Sequence, residues 1–112
     1  MPDYLTDTLL HEMTESIIRE VNPCKVVLFG SHAKGTARPD SDIDFLIVED
    51  GPFNAQRSRR AEMARLWKLL RSYPIPKDFL VFTPEEVEQW GQERNHVLFH
   101  ALKEGKVLYE RP

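Results

Sequence analysis

The chain has 112 residues, a formal net charge of −3 at pH 7 and 41% hydrophobic residues, which predicts one globular domain over residues 1–112. The negative net charge argues against direct nucleic-acid binding, because such binding normally needs a basic surface. The one cysteine cannot form an internal disulfide, and the chain shows neither a signal-peptide pattern nor an apolar run of membrane-spanning length. We therefore expect a cytoplasmic protein with no membrane span.

The first part of the chain predicts a helix, a strand, a short helix and a second strand. Residues 3–21 carry a hydrophobic side chain at every fourth position, which is typical of an amphipathic helix. Residues 25–29 form a β-branched run that predicts a buried strand. Residues 31–34 can form one helical turn that Gly35 closes, and residues 42–48 predict the next strand.

The remainder of the chain continues this alternation. Residues 55–72 predict a helix, and residues 78–82 a third strand. Thr83 can cap a following helix, a further helix is expected at residues 94–104, and the sequence KVLYE suggests a last strand. The order of elements predicts an α/β or α+β fold, with a small mixed β-sheet flanked by helices.

Two aspartates, Asp42 and Asp44, lie one residue apart in the second predicted strand. Side chains at positions i and i+2 of a strand point to the same face, so the two carboxylates are expected to lie side by side. They repel each other unless a cation lies between them, and Mg²⁺ prefers carboxylate oxygens. A solvated strand start after a turn would also explain the pair.

A Gly-Ser turn, Gly30-Ser31, precedes the aspartates. A glycine after a strand lets the backbone approach a ligand, and the amides that open a short helix attract anions. Turn and aspartates together suggest a site for a metal ion and a triphosphate. Thr36 follows Gly35 where a Walker-type loop needs lysine, and the residue spacing fits neither a calcium loop nor a dinucleotide-binding fingerprint.

The pattern of Gly30-Ser31, ten residues, and then Asp42-Ile43-Asp44 resembles the signature of the DNA polymerase β-like nucleotidyltransferase superfamily. The sequence GSHAKGTARPDSDIDFLIV is most similar to that of the smallest members, the minimal nucleotidyltransferases. The resemblance extends over nearly the whole chain, to the terminal EGKVLYE. It implies a polymerase β-like nucleotidyltransferase fold.

The resemblance also implies three catalytic carboxylates that bind two Mg²⁺ ions. Asp42 and Asp44 match the signature, and Asp78, in PKDFLVFT, matches the third carboxylate by position and context. A polar residue at the start of a strand would also account for Asp78. With the signature present, we expect all three aspartates to be both catalytic residues and metal ligands.

Nucleotide contacts follow from the same resemblance. Gly30 and Ser31 are expected to bind the β- and γ-phosphates of the substrate, which is ATP by analogy with the family. The family often has arginine where this chain has Lys34. Lysine keeps the positive charge but lacks the planar fork of arginine. Lys34 is therefore expected to contact phosphate as a simple charge.

The implied activity is transfer of a nucleoside monophosphate from a nucleoside triphosphate to a hydroxyl, with release of pyrophosphate. Minimal nucleotidyltransferases are typically antitoxins of a small helical HEPN-type toxin, and they can adenylylate a tyrosine of that partner. One alternative is a binding module that neutralises its partner by contact alone. Another is an antibiotic-type, small-molecule nucleotidyltransferase that acts as an oligomer.

The remaining candidates favour structural interpretations. His96 and His100 have a spacing that zinc ligands can use, but no third ligand is apparent, so both are predicted on a helix surface or in the core. His32 lies inside the signature loop, where nucleotide contact is possible, but an exposed side chain is predicted. The arginines between positions 57 and 71 could bind RNA but are more typical of a solvated helix face. Trp67 and Trp90 lie at helical core spacings and are predicted to be buried.

Overall fold

The computed structural model describes residues 5–112. The elements are α1 (Asp7–Val21), β1 (Lys25–Phe29), α2 (Ser31–Lys34), β2 (Ile43–Val48), α3 (Arg59–Leu69), β3 (Lys77–Phe82), α4 (Pro84–Trp90), α5 (Val97–Glu104) and β4 (Lys106–Glu110). The strands form one sheet in the order β3-β2-β1-β4. β1 runs antiparallel to β2 and β4, whereas β2 and β3 are parallel. The predicted fold, a small mixed sheet flanked by helices, is confirmed.

The two central strands are buried on both faces. On one face, Met13 and Ile17 of α1 and Leu66 of α3 pack against alternate strand side chains. On the other face, Leu98 and Ala101 of α5 cover the remaining strand side chains. Each large apolar side chain buried in this way contributes about 1.5–3 kcal/mol relative to exposure. The strand β2, which carries Asp44, is therefore held firmly from both sides.

The first helix is shorter than predicted. It begins at Asp7, because the hydroxyl of Thr6 accepts a hydrogen bond from the amide of Leu9 (3.1 Å) and so caps the helix. Residues 3 and 4 of the predicted helix lie outside the described residues. No helix in the described part of the chain combines the length and the apolar character that a membrane span needs. The cytoplasmic location stays a prediction.

The helix predicted at residues 55–72 is also shorter, because a turn occupies its first residues. The side-chain oxygen of Asn54 accepts hydrogen bonds from the amides of Gln56 (2.9 Å) and Arg57 (3.0 Å). Ser58 then caps α3 by accepting a hydrogen bond from Ala61. Side chains of this kind compete with helical hydrogen bonds and favour turns and caps.

The helix predicted at residues 94–104 begins only at Val97, since His96 acts as its cap. The Nδ1 atom of His96 accepts a hydrogen bond from the amide of Leu98 (3.1 Å), and its ring stacks on Trp90. His96 and His100 are thus not a pair on one helix face, which agrees with a structural role for both.

The prediction that Trp67 and Trp90 are buried is wrong. Trp67 is 54% exposed and Trp90 is 39% exposed. In α3 the fully buried apolar residue is Leu66, and the next position along a helix points about 100° away from it. Trp67 therefore lies beside the buried stripe, at the border between α3 and β3.

Candidate active site

The end of β1, the Gly-Ser turn and β2 form one tightly packed unit. Phe29, the last residue of β1, pairs with Asp44 of β2. Gly30 then adopts a φ of +75°, and a Cβ atom at this position would collide with a carboxylate oxygen of Asp44. Glycine is required here both for the backbone conformation and for the close approach of the carboxylate.

The short helix α2 starts directly after this turn. The amides of Ala33 and Lys34 both donate to the carbonyl of Gly30 (3.1 Å each), whereas the first amides of a helix have no partner within the helix. Gly35 ends the helix in the left-handed conformation, as predicted. The amides that open α2 therefore lie next to the carboxylate of Asp44.

The three predicted carboxylates lie at the same end of the two parallel strands. Asp44 of β2 is level with Asp78 of β3, and Asp42 directly precedes β2, one residue outside the strand predicted at 42–48. Burial raises the pKa of Asp44, and the charges of Asp78 and Asp42 raise it further, while His32 acts in the opposite direction. Burial and the Asp42 carboxylate, within hydrogen-bonding reach, likewise raise the pKa of Asp78.

These mutual effects show that the carboxylates are close enough to repel one another, and a cation would remove that repulsion. Their oxygen donors suit a hard divalent cation such as Mg²⁺. Among residues 5–112, no group of three or more His, Cys, Asp or Glu is already arranged to hold a metal ion. Proteins commonly hold Mg²⁺ with one or two carboxylates together with substrate phosphates.

Lys34 lies at the far end of α2 and forms an ion pair with Glu104 of α5. The Nζ to Oε2 distance is 3.1 Å, and both side chains are about half exposed. An exposed pair of this kind contributes about 0–1 kcal/mol. A phosphate could therefore displace Glu104 from Lys34 at little cost.

His32 packs into the candidate site more closely than expected, and the prediction of an exposed side chain is wrong. The ring is half-buried, and its Nε2 atom lies 3.1 Å from the carbonyl oxygen of Ser41, the residue before Asp42. Nε2–H donates this bond, which ties α2 to the end of the loop. Its position inside the signature was the only sequence signal, because the two bonded residues are nine positions apart.

A second carboxylate pair, Glu49 and Glu62, lies at the opposite end of β2. Glu49 is 2% exposed and Glu62 is 8% exposed. One oxygen of Glu49 accepts a hydrogen bond from Arg57 (3.0 Å), and the other is buried with no donor among the described residues. Burial and the adjacent Glu62 raise the pKa of Glu49 to about 8. We infer that this pair shares one proton, carried by Glu49.

The arginines of the α3 region lie on a solvated face, as predicted, since Arg60, Arg65 and Arg71 are exposed. Several of them are also paired: Arg57 contacts Glu49 and Glu62, Arg59 pairs with Glu86, and Arg65 pairs with Glu20 and Glu62. Most of these positive charges are neutralised within the protein. The pairing leaves little of the cluster free for a polyanion such as RNA.

Comparison with known proteins agrees with this geometry. Residues 11–103 match the family model of the nucleotidyltransferase domain, and the chain therefore belongs to this family. It is also 35% identical over 88 residues to a protein of Methanocaldococcus jannaschii named "putative protein adenylyltransferase", covering 76% of this chain and 77% of that protein. The chain is a nucleotidyltransferase.

Two solved structures share the fold. One is a crystal structure of a "putative nucleotidyltransferase" from Sulfolobus solfataricus, with a TM-score of 0.62 and 22% identity over 93% of this chain and 79% of that one. The other is a crystal structure of a toxin–antitoxin with AMP-PNP, with a TM-score of 0.55 and 18% identity over 90% of this chain and 73% of that one. At these identities the likeness extends to the fold alone.

Proposed function

We propose that this nucleotidyltransferase is an antitoxin that transfers AMP from ATP to a tyrosine hydroxyl of a small helical HEPN-type toxin. The observation that carries the proposal is the convergence of Asp42, Asp44 and Asp78 beside the Gly30–Ser31 turn. The name of the adenylyltransferase relative supports a protein acceptor, and the toxin–antitoxin neighbour supports a toxin as partner.

In this proposal the Gly-Ser turn holds the triphosphate. The amides of Gly30 and Ser31 and of the start of α2 donate to the β- and γ-phosphates. Lys34 exchanges Glu104 for a phosphate oxygen when the nucleotide arrives. These contacts would bring the α-phosphorus towards Asp44, since Asp44 contacts the turn directly.

The three aspartates would hold the metal ions and position the acceptor. Asp42 and Asp44 would bind two Mg²⁺ ions, and Asp78 would complete the first of these sites. When bound, the ions neutralise the triphosphate and stabilise the entering and leaving oxygens. Asp78 would also orient the tyrosine hydroxyl and accept its proton.

The reaction is a single displacement at the α-phosphorus. The tyrosine oxygen forms a bond to this phosphorus, and the bond from phosphorus to the bridging oxygen of pyrophosphate breaks. The hydroxyl proton passes to Asp78, and pyrophosphate leaves. The products are an adenylylated tyrosine and pyrophosphate, and Asp78 holds the proton that the hydroxyl released.

The test uses ATP labelled at the α-phosphate, with Mg²⁺, in a lysate of the native host. We expect the wild-type protein to label one small protein on tyrosine, and the Asp42→Asn/Asp44→Asn double variant to label none. Asp40→Asn is the matched control, because Asp40 is exposed in the same loop. Circular dichroism of each variant checks that the fold is intact.

Three outcomes would contradict the proposal. Label on a small molecule would indicate an antibiotic-type nucleotidyltransferase. An absence of label with the wild-type protein would favour a binding module that neutralises its partner by contact. Full activity of the double variant would contradict the assignment of the metal ligands.

A further inference from the structure

A groove of about 310 Å³ runs between α3 and β3 and reaches the candidate active site. Its apolar lining includes Met63 and Trp67 of α3 and Phe79 of β3, and Asp78 lines it as well. Asp78 is therefore shared by the groove and the carboxylate cluster. A molecule in the groove could reach the position of the acceptor hydroxyl across the edge of β3.

Trp67 is the prominent feature of the groove. It is 54% exposed, although a tryptophan gains about 1.5–3 kcal/mol or more when it is buried. Exposed tryptophans are enriched where proteins bind other proteins, and they often carry much of the binding energy. Trp67 faces a groove that adjoins the candidate active site, so its exposed surface is available to a molecule bound there.

The two cationic side chains at the groove, Lys77 and Arg60, differ in whether the described part of the chain already binds them. The ammonium group of Lys77 is held by the carbonyls of Tyr73 (2.8 Å) and Ile75 (2.7 Å), so it offers the groove mainly its aliphatic stem. The side chain of Arg60 makes no ion pair or hydrogen bond to any residue between 5 and 112, unlike the side chain of its neighbour Arg59. The groove is thus an apolar surface with a cation at its rim that residues 5–112 leave unpaired.

The topology explains how one ligand could use both the groove and the active site. β3 is an edge strand of the sheet, and its successive side chains point to opposite faces. Phe79 packs on the α3 side, while Asp78 belongs to the carboxylate cluster on the other side. A bound polypeptide that crosses the open edge of β3 could place one side chain in the groove and the acceptor hydroxyl at Asp78.

The same edge is partly closed to simple strand addition. Arg59 donates a hydrogen bond to the carbonyl of Val81 (2.8 Å), and this carbonyl would otherwise be free to pair with an added strand. Recognition at this edge therefore depends mainly on side chains in the groove.

Building on the proposed function, we propose that the groove between α3 and β3 is the docking site for the polypeptide segment that carries the acceptor tyrosine. An apolar side chain beside that tyrosine packs against Trp67 and Met63. An acidic side chain of the segment pairs with Arg60. The groove thereby distinguishes a protein acceptor from a small molecule, which could occupy Asp78 or the groove but not both.

The test compares two acceptors with each variant. The first is the host protein that the wild-type enzyme labels with ATP, after purification, and the second is N-acetyltyrosine amide, which has no neighbouring residues to fill the groove. We expect Trp67→Ala to raise KM for the protein acceptor about tenfold or more, as loss of a buried tryptophan contact does at interfaces. Transfer to N-acetyltyrosine amide and the affinity for Mg–ATP should be unchanged.

Matched controls are available within the chain. Trp90→Ala removes the other exposed tryptophan, which lies in α4 and does not line the groove, and it should leave KM at the wild-type value. Arg60→Glu should raise KM for the protein acceptor, whereas Arg71→Glu, also exposed but outside the groove, should not.

The outcomes separate this proposal from the function on which it rests. If the wild-type enzyme labels protein and Trp67→Ala has the wild-type KM, the groove assignment is overturned and the proposed function stands. If Trp67→Ala slows transfer to both acceptors equally, Trp67 supports the active site and the docking role is wrong. If the wild-type enzyme labels no protein, or only ribonuclease-sensitive material, both proposals fail.

Discussion

At the level of single residues, the contact between Gly30 and Asp44 imposes the strictest geometric requirement in the candidate site. Any side chain at position 30 meets the Asp44 carboxylate, and the left-handed backbone adds its own cost. Gly35 isolates the cost of a positive φ, because it also has a φ of +75° but a Cβ atom there would meet nothing within 4 Å among the described residues. Its ψ of 19° differs from the −157° of Gly30.

We therefore expect Gly30→Ala to lower kcat/KM for nucleotidyl transfer by about a hundredfold, since misplacement of a reacting group by about 1 Å can cost this much. Gly35→Ala should lose about 1 kcal/mol of stability from backbone strain. Gly30→Ala should lose more, because its φ of 75° and ψ of −157° lie in a region that essentially only glycine adopts. Labelled-ATP kinetics and urea unfolding of the two variants measure these effects. Equal activity of the two variants would contradict the role of the close approach.

At the level of helices and strands, β2 links two carboxylate groups of different character. Asp44, near its start, faces the candidate active site, whereas Glu49, directly after its end, is buried against Glu62 of α3. Arg57 donates a hydrogen bond to Glu49 (3.0 Å) and pairs with the Glu62 carboxylate (3.6 Å), which fastens the loop that precedes α3 to the strand. This buried cluster makes the packing of β2 and α3 dependent on pH.

Glu49→Gln should remove part of that dependence. Below a pH of about 4.5, Glu49 is protonated in both the folded and the unfolded protein. Between pH 4.5 and about pH 8, Glu49 keeps its proton in the folded protein only. The free energy of unfolding therefore falls as pH rises through this range. The lowered pKa of Glu62 acts at more acidic pH, where stability is lost as the pH falls.

As the pH rises from 5.5 to 9, we expect the free energy of unfolding of Glu49→Gln, measured in urea, to increase relative to that of the wild type, by an amount on the order of a few kcal/mol. The exposed residue Glu88 supplies the control Glu88→Gln, whose difference from the wild type should not vary with pH. Parallel pH profiles of the wild type and Glu49→Gln would show that Glu49 does not hold the shared proton.

Across the molecule as a whole, the candidate site joins β3 to the segment that runs from β1 through the Gly-Ser turn to β2, which lies about 30 residues earlier in the chain. The carboxylates that converge there repel one another in the free protein, and a bound cation with its nucleotide would relieve this repulsion. Stability of the fold should then depend on ligand. That residues 1–112 form a single domain stays a prediction.

We expect Mg–ATP at a hundredfold excess over its Kd to stabilise the wild-type protein by about 2.7 kcal/mol. The Asp42→Asn/Asp44→Asn variant should be more stable than the wild type without ligand, because repulsion is removed, and should gain nothing from Mg–ATP. Thermal unfolding with Mg²⁺ alone and with Mg–ATP measures both effects, with Asp40→Asn as control. A ligand-induced rise in Tm of the double variant would contradict the proposed ligand set.

The order of helices and strands, the Gly-Ser turn and the family resemblance carried by Asp42 and Asp44 could all be read from the amino-acid sequence. These features depend on the conformation and spacing of residues close together in the chain, which local patterns specify. The ends of helices were less predictable, since a cap such as His96 or Ser58 is chosen by competition between side chains and backbone.

The resemblance predicted that Asp78 joins Asp42 and Asp44, but the other meetings of distant side chains became known from the folded chain alone. Folding placed Asp78 level with Asp44, bonded His32 to the loop before Asp42, buried Glu49 against Glu62 and left Trp67 exposed beside the active site. Periodicity states which face of an element is apolar, but not which neighbour covers it. For Trp67 no neighbour in the described chain does so fully, and the exposed surface that remains is the basis for proposing a partner there.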